Sequence, residues 1–170
     1  KSASQTQGGS VDAKVGDFVQ RGDARWGGKL GDYGSYRVYA LAFEEGDTRL
    51  ESGSSAMDAY RGNQAGFRAD QAAFTGNLTL QGDIYENRVG TPSGRRNGGD
   101  ALARWDKRFA DASTFHVQAY YDQQDRKDLA LSGGGTSDRV RTVDLQAEHA
   151  FRLGASHQIV WGLGYRTWSD

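Results

Sequence analysis

The sequence predicts an all-β fold: an antiparallel, up-and-down transmembrane β-barrel with about nine strands present. Three observations support this. Apolar and polar residues alternate with a period of two, short turns recur at intervals near 40 residues, and aromatic residues gather beside those turns. The composition agrees, because 24 glycines and a single proline in 170 residues suit long strands with tight turns.

The stretch from Asp100 to Asp122 shows the pattern most clearly. Residues 102–109 and 115–122 each read as a strand, and the turn between them is 110–113. Two strands joined by so short a turn form an antiparallel hairpin. In the second strand one face would carry Phe115, Val117, Ala119 and Tyr121, and the other His116, Gln118, Tyr120 and Asp122.

The same alternation recurs along the chain and predicts nine strands. The strand at 76–86 is the most regular, whereas both faces of 36–44 carry large apolar residues and leave its orientation open. The predicted strands are 11–15, 18–28, 36–44, 63–70, 76–86, 102–109, 115–122, 143–151 and 157–168.

The connections between these strands fall into two classes. Short turns centre near Asp32, Ala72, Asp111 and Ala155. Apart from the tight Gly16-Asp17 connection, the other ends are joined by long polar loops at 45–56, 87–99 and 123–139, of which the second holds Pro92 and the third Gly133-Gly134-Gly135. Short turns on one rim and long loops on the other are typical of outer-membrane barrels, whose strands need ~9–11 residues to cross the bilayer.

Several aromatic residues lie within a few positions of the short turns, as expected for a belt at a membrane–water interface. The alternative is that they cap the core of a soluble β-sandwich. The aromatic residues concerned are Trp26, Phe74, Trp105, Phe109, Phe115, Phe151 and Trp161.

Composition and motifs exclude several classes of function. A net charge of −1 from 21 basic and 22 acidic residues does not favour nucleic acid, and without cysteine there is no thiolate metal site. The three histidines, His116, His149 and His157, lack metal-ligand spacing, and there is no Gly-x-Ser-x-Gly nucleophile elbow. We therefore expect neither an enzyme nor a bound metal or cofactor.

An ordered set of segments resembles a known family, the TonB-dependent receptors of the bacterial outer membrane. Lys1-Ser2-Ala3 followed by Thr6-Gln7-Gly8-Gly9 is similar to the junction at which the receptor's plug enters its barrel. Further segments resemble the early barrel strands: RWGGKLG at 25–31, YRVY at 36–39, GFRAD at 66–70, LTLQGD at 78–83, ALARW at 101–105, VQAYYD at 117–122 and IVWGLGY at 159–165.

The resemblance implies an architecture and a function. Residues 1–9 would be the end of the plug, and 10–170 the N-terminal part of a plugged barrel of ~22 strands. Such receptors import a scarce nutrient, such as an iron–siderophore, a cobalamin or a saccharide. The expected partners are outer-membrane lipid, the imported ligand, and the inner-membrane protein TonB, which would act through a plug region outside these residues.

On this interpretation one set of polar side chains faces the barrel lumen and guides the ligand. The alternative for each is a solvated, ion-paired wall. Lys107 and His149 alternate in step with the apolar residues of their strands, which would place them on the lipid side. Both lie near short turns, where their side chains can reach the membrane–water interface. The candidate lumen residues are Arg25, Arg68, Asp83, Tyr85, Arg104, Gln118, Tyr120, Asp144 and Gln146.

Two other architectures fit parts of the pattern. A soluble β-propeller has a similar repeat length, although each blade packs four strands into it. A small complete outer-membrane pore or adhesion barrel of about eight strands would require the first and last strands to pair with each other.

Overall fold

The computed structural model describes residues 1–90, 94–129 and 134–170, and nine strands form a single sheet in chain order. Every neighbouring pair is antiparallel, so the predicted all-β, up-and-down arrangement of nine strands is confirmed. The strands are β1 (Gly8–Val15), β2 (Val19–Leu30), β3 (Gly34–Glu45), β4 (Tyr60–Ala73), β5 (Gly76–Val89), β6 (Gly94–Arg108), β7 (Thr114–Leu129), β8 (Gly135–Leu153) and β9 (His157–Ser169).

The pairing register separates the side chains into two faces. Opposed residues share a face, and one row runs from Val11 through Ala24, Ala40 and Ala65 to Ile84. We call the face that carries this row the apolar face and the opposite one the polar face. The register also settles the orientation of β3, because alternation from Ala40 places Tyr39 on the polar face.

Several strands extend well beyond their predicted ends. Much of the predicted loops 87–99 and 123–139 is strand, since β5 continues to Val89, β6 begins at Gly94, β7 continues to Leu129 and β8 begins at Gly135. Both faces are polar in these extensions, which removes the alternation that marks a strand in sequence. Pro92 and Gly133 lie outside the described residues.

The strand ends define two rims of the sheet. We call the end with turns 31–33, 74–75, 109–113 and 154–156 the short-turn rim, and the opposite end the long-loop rim. The long-loop rim carries the extended segment 46–59, which leaves β3 and returns to β4. The predicted contrast between rims therefore rests mainly on this one loop, because the other two predicted loops are largely strand.

The turn predicted at Ala72 was misplaced. Ala73 pairs with Gly76, so the turn consists of Phe74 and Thr75, with φ values of 53° and 61°. Two successive residues at positive φ match the hairpin turn that Asn-Gly usually forms, and neither residue here carries that signal. The other three predicted turns are confirmed.

Within the part of the chain that the structure describes, the sheet has no second layer and almost no core. Ala3 is the buried hydrophobic residue among the described positions, whereas Ile84 and Leu163 are 68% and 74% exposed. A propeller consists of several sheets and a sandwich of two. β1 and β9 do not pair with each other within the described residues, as a small closed barrel would require.

Regular helix among the described residues is confined to a single 3-10 turn, Ala3–Thr6. No helix there is long and apolar enough to span a membrane.

Replacing Thr75 by glycine should stabilise the sheet. A β-branched residue at positive φ is strained, and relief of that strain is worth about 1 kcal/mol in the free energy of unfolding. Urea unfolding in detergent micelles measures it. As a control, Ala72→Gly at an extended strand position should lower the same free energy by roughly 0.5–1 kcal/mol. A loss of stability in both variants would contradict the turn geometry.

Candidate functional site

The nine predicted lumen residues all lie on the polar face. Register places Arg104 opposite Gln118 and Gln118 opposite Gln146, while Tyr120 faces Asp144 on the neighbouring strand. The remaining predicted residues are spread over β2, β4 and β5, where alternation puts them on the same side: Arg25, Arg68, Asp83 and Tyr85. Their common face is thus established, and their contact with a ligand stays a prediction.

The arginines of this set are all held by neighbouring groups, and Arg68 and Arg104 by side chains near them on their own strands. Arg68 donates to both oxygens of the Asp70 carboxylate at 2.9–3.1 Å and to Gln81 Oε1 at 3.0 Å. Arg104 pairs with Asp106 at 2.8 Å. These contacts favour a structural wall as the role of Arg68 and Arg104.

Asp144 is likewise engaged, since it accepts a 2.6 Å hydrogen bond from Arg166 of β9. It is one of the few buried polar residues among those described, with 5% exposure. A buried carboxylate requires such a partner. Asp144 therefore anchors the last strand to β8.

The N-terminal segment lies on the polar face, over β2, β3 and β4. The Ala3 amide donates to Asp70 Oδ2 at 2.7 Å, and Arg37 donates to the Lys1 carbonyl at 3.2 Å. Arg25 donates to the Thr6 carbonyl at 3.3 Å. A side chain at Gly27 would collide with the Thr6 carbonyl, so glycine permits this approach.

Sequence reasoning did not single out Asp70, Arg37 or Gly27 as functional. Nothing in a strand's alternation indicates which polar residues will receive a distant segment of chain. Of the residues predicted as the end of a plug, 1–7 are thus held on the face that carries the predicted lumen residues, whereas Gly8 and Gly9 are the first residues of β1.

A group of phenols and carboxylates occupies the middle of the polar face. The Tyr39 hydroxyl donates to Asp83 across Gly66, and Gln64 Nε2 donates to the same hydroxyl at 2.9 Å. A Cβ at position 66 would overlap the Asp83 carboxylate. This arrangement joins β3, β4 and β5 through side chains, and sequence analysis missed Tyr39 because the orientation of its strand was open.

Three carboxylates stand directly opposite one another in this region. Register pairs Asp83 with Asp100 and Asp100 with Asp122. Directly opposed like charges destabilise a sheet, so the row suits hydrogen-bond donors or cations from outside the sheet. No group of three or more His, Asp or Glu side chains within the described residues could hold a metal ion.

An aromatic cluster lies on the apolar face at the short-turn rim. The ring centroids of Trp105 and Phe115 are 6.3 Å apart, and those of Phe115 and His149 are 6.0 Å apart. His149 also contacts Phe151 at 5.1 Å and Trp161 at 5.9 Å. Five of the seven predicted belt residues share the apolar face near this rim: Trp26, Trp105, Phe115, Phe151 and Trp161.

The other two belt residues, Phe74 and Phe109, lie in the short turns themselves, and Phe74 is 85% exposed. Lys107 lies on the apolar face, with its Nζ 4.7 Å from the centroid of the Phe109 ring. A cation over an aromatic face is favourable at a wet interface. This contact accommodates the charge of Lys107 at a strand position whose neighbours on the same face are apolar.

The apolar face is a band with two limits. Apolar positions extend from Leu78 to Ile84 on β5, and the same parity continues into Glu86. On β8 they extend from Val143 to Leu153, with His149 among them. At ~3.3 Å per residue these runs cover roughly 20–33 Å along the strands. The height of the apolar band is smaller than these lengths if the strands are tilted, and the aromatic residues of the short turns add to it. The apolar band of outer-membrane barrels, for comparison, is ~25 Å tall.

Comparison with known proteins yielded no match of any kind: no protein-family model, no curated protein and no solved structure matched this chain. The sequence resemblance accordingly stands on the quoted segments alone.

The segment 46–59 at the long-loop rim is internally hydrogen-bonded. Asp58 accepts from the Thr48 amide at 2.7 Å and from the Thr48 hydroxyl at 2.6 Å, and the Ala59 amide donates to Asp47 at 2.7 Å. The hydrogen bonds from Thr48 hold the pKa of Asp58 below its ordinary value. The loop is thereby ordered through its two ends.

This ordering should depend on pH in one direction. Because the pKa of Asp58 is depressed in the folded loop, its stabilising contribution is complete above about pH 4 and is lost as pH falls through the lower folded value. The Thr48 amide chemical shift, followed by NMR in micelles, should titrate below the ordinary Asp midpoint. Asp58→Asn should abolish this titration and Glu51→Gln should leave it, whereas a midpoint above pH 4 would contradict the assignment.

Proposed function

We propose that this chain is a wall segment of an outer-membrane barrel, belonging to a TonB-dependent receptor that takes up a scarce nutrient such as an iron–siderophore. The observation that supports this best is the unequal pair of faces on one sheet, whose apolar face is uncovered by any second layer of described residues. One face is an apolar band with an aromatic margin, and the other is lined with charges, phenols and amides.

Lipid is the covering that suits the apolar band. Soluble monomers rarely expose contiguous apolar patches larger than a few hundred Å². Here the exposed apolar side chains extend over all nine strands, from Val11 to Leu163, and none is covered by a second layer of described residues. In a bilayer the same side chains would face hydrocarbon, while the polar face would border a lumen.

The receptor assignment rests on two further points. The ordered segments resemble the early barrel of this family, and the N-terminal segment lies on the polar face, where the chain would arrive from a plug. Its anchors are Asp70, Arg37 and Arg25. A ligand passing along this wall would meet the central phenol–carboxylate group around Tyr39 and Asp83.

The assignment of faces predicts the effect of a new charge. Leu80→Arg, on the apolar face, should reduce the free energy of folding into phosphatidylcholine vesicles by about 2–4 kcal/mol, the cost of arginine near the bilayer midplane. Leu102→Arg, the same substitution on the polar face of the neighbouring strand β6, is the matched control and should change it by less than about 1 kcal/mol. Urea titration of folding in vesicles measures both, and equal losses would contradict the assignment.

The receptor part of the proposal has a separate test. The coding frame immediately before Lys1 should encode a plug domain with an energy-coupling segment near its start. Sequencing this region of the gene is sufficient. A stop codon directly upstream would remove the receptor assignment. It would not affect the membrane assignment, which the Leu80→Arg experiment tests.

A further inference from the structure

A row of basic residues crosses the apolar-face side of the sheet at the long-loop rim. Arg61 of β4 is opposite Arg88 of β5, Arg88 is opposite Arg95 of β6, and Arg95 is opposite Lys127 of β7. We call these four residues the basic ladder. Directly opposed like charges destabilise a sheet, so four in succession call for a compensating anion.

Acidic neighbours compensate only part of this charge. Glu86 pairs with Arg88 at 3.1 Å and with Arg95 at 3.0 Å, so one carboxylate serves two guanidinium groups. Among the described residues, neither Arg61 nor Lys127 makes an ion pair with an acidic side chain. The register places a second carboxylate, Glu44, opposite Arg61. The four cations of the ladder therefore face two carboxylates, and an excess of positive charge remains.

The position of the ladder relates it to the apolar band. On β5 the apolar-face positions run from Ile84 through Glu86 to Arg88, so the ladder lies just past the end of the band. At the opposite rim, Lys107 is the one lysine or arginine of the described strands that lies on this face. Basic residues on the apolar-face side are thus concentrated at the long-loop rim.

The surface beside the ladder is open and has room for a headgroup. A groove of about 650 Å³ is lined by Arg61 and Arg88 together with Glu44, Glu86 and Lys14. Arg88 is about half exposed, so its guanidinium is accessible in addition to its contact with Glu86. Guanidinium groups bind phosphate through paired hydrogen bonds.

We propose that the basic ladder binds the phosphate groups of anionic lipids in the leaflet at the long-loop rim. This rests on the proposed function, since it requires the apolar face to be in contact with the bilayer. The charge complementarity is direct: an excess of cations borders the apolar band at the height where lipid phosphates lie. Lysine and arginine near an anionic surface each strengthen association by about fivefold.

The test compares folding of the whole chain into two kinds of vesicle, pure phosphatidylcholine and phosphatidylcholine with 30% phosphatidylglycerol of the same acyl chains. The variant Arg61→Gln/Lys127→Gln removes the two unpaired ends of the ladder. The variant Arg96→Gln/Arg126→Gln removes two directly opposed arginines at the same rim but on the polar face. Both variants therefore change the net charge equally.

Wild type should prefer the anionic vesicles, and the ladder variant should lose about tenfold to thirtyfold of that preference while folding into phosphatidylcholine as wild type does. The polar-face variant should lose less than about threefold. Equal losses in both variants, or equal folding of wild type in both vesicles, would overturn the lipid-binding proposal alone. Failure of wild type to insert into either vesicle would overturn the membrane assignment and this proposal with it.

Discussion

The structure depends on an unbroken antiparallel register from β1 to β9. In each pair of strands, opposed residues lie on the same face of the sheet. The row of opposed residues that starts at Val11 therefore stays on one face as far as Arg141. A slip of one residue in any pair would move every later side chain to the opposite face. The separation into an apolar and a polar face, and all functional inferences drawn from it, follow from this constraint.

Glycine allows the polar face to hold its contents close to the backbone. At Gly27 the missing side chain leaves space for the Thr6 carbonyl, and at Gly66 it leaves space for Tyr39 and Asp83 to meet above the middle strand. Both contacts join segments distant in sequence. The sheet thus has residues without Cβ at the points where the docked segment and the polar network come closest to its backbone.

Sequence analysis could predict the strands and faces where one face is apolar, because alternation is then visible, as at Arg104 and Gln118. It failed where that contrast disappears. The extensions beyond Glu86 and Asp122 are polar on both faces. Backbone hydrogen bonds between the strands keep them extended, and these bonds produce no pattern of hydrophobic residues in the sequence. The turn at Phe74-Thr75 was missed for a related reason, since the backbone adopts positive φ there without the glycine that usually announces it.

The candidate site was predicted at the level of faces rather than contacts. All nine proposed lumen residues share the polar face. The pairing of Arg68 with Asp70 along β4, and of Asp144 with Arg166 across to β9, depends on side-chain conformations that alternation does not reveal. The basic ladder was also beyond reach of the sequence, because Arg61, Arg88, Arg95 and Lys127 come together only once the register is known.

Quenching of tryptophan fluorescence by brominated lipid tests the central claim most directly. Trp26, Trp105 and Trp161 lie on the apolar face, whereas Trp168 pairs with Thr142 on the polar face. In single-tryptophan variants folded into vesicles, the first three should be quenched, most strongly by bromines placed near the headgroups, and Trp168 should be largely protected. Equal quenching of all four tryptophans would contradict the assignment of the two faces. Absence of quenching, together with a strand-rich circular dichroism spectrum in plain buffer, would contradict it as well.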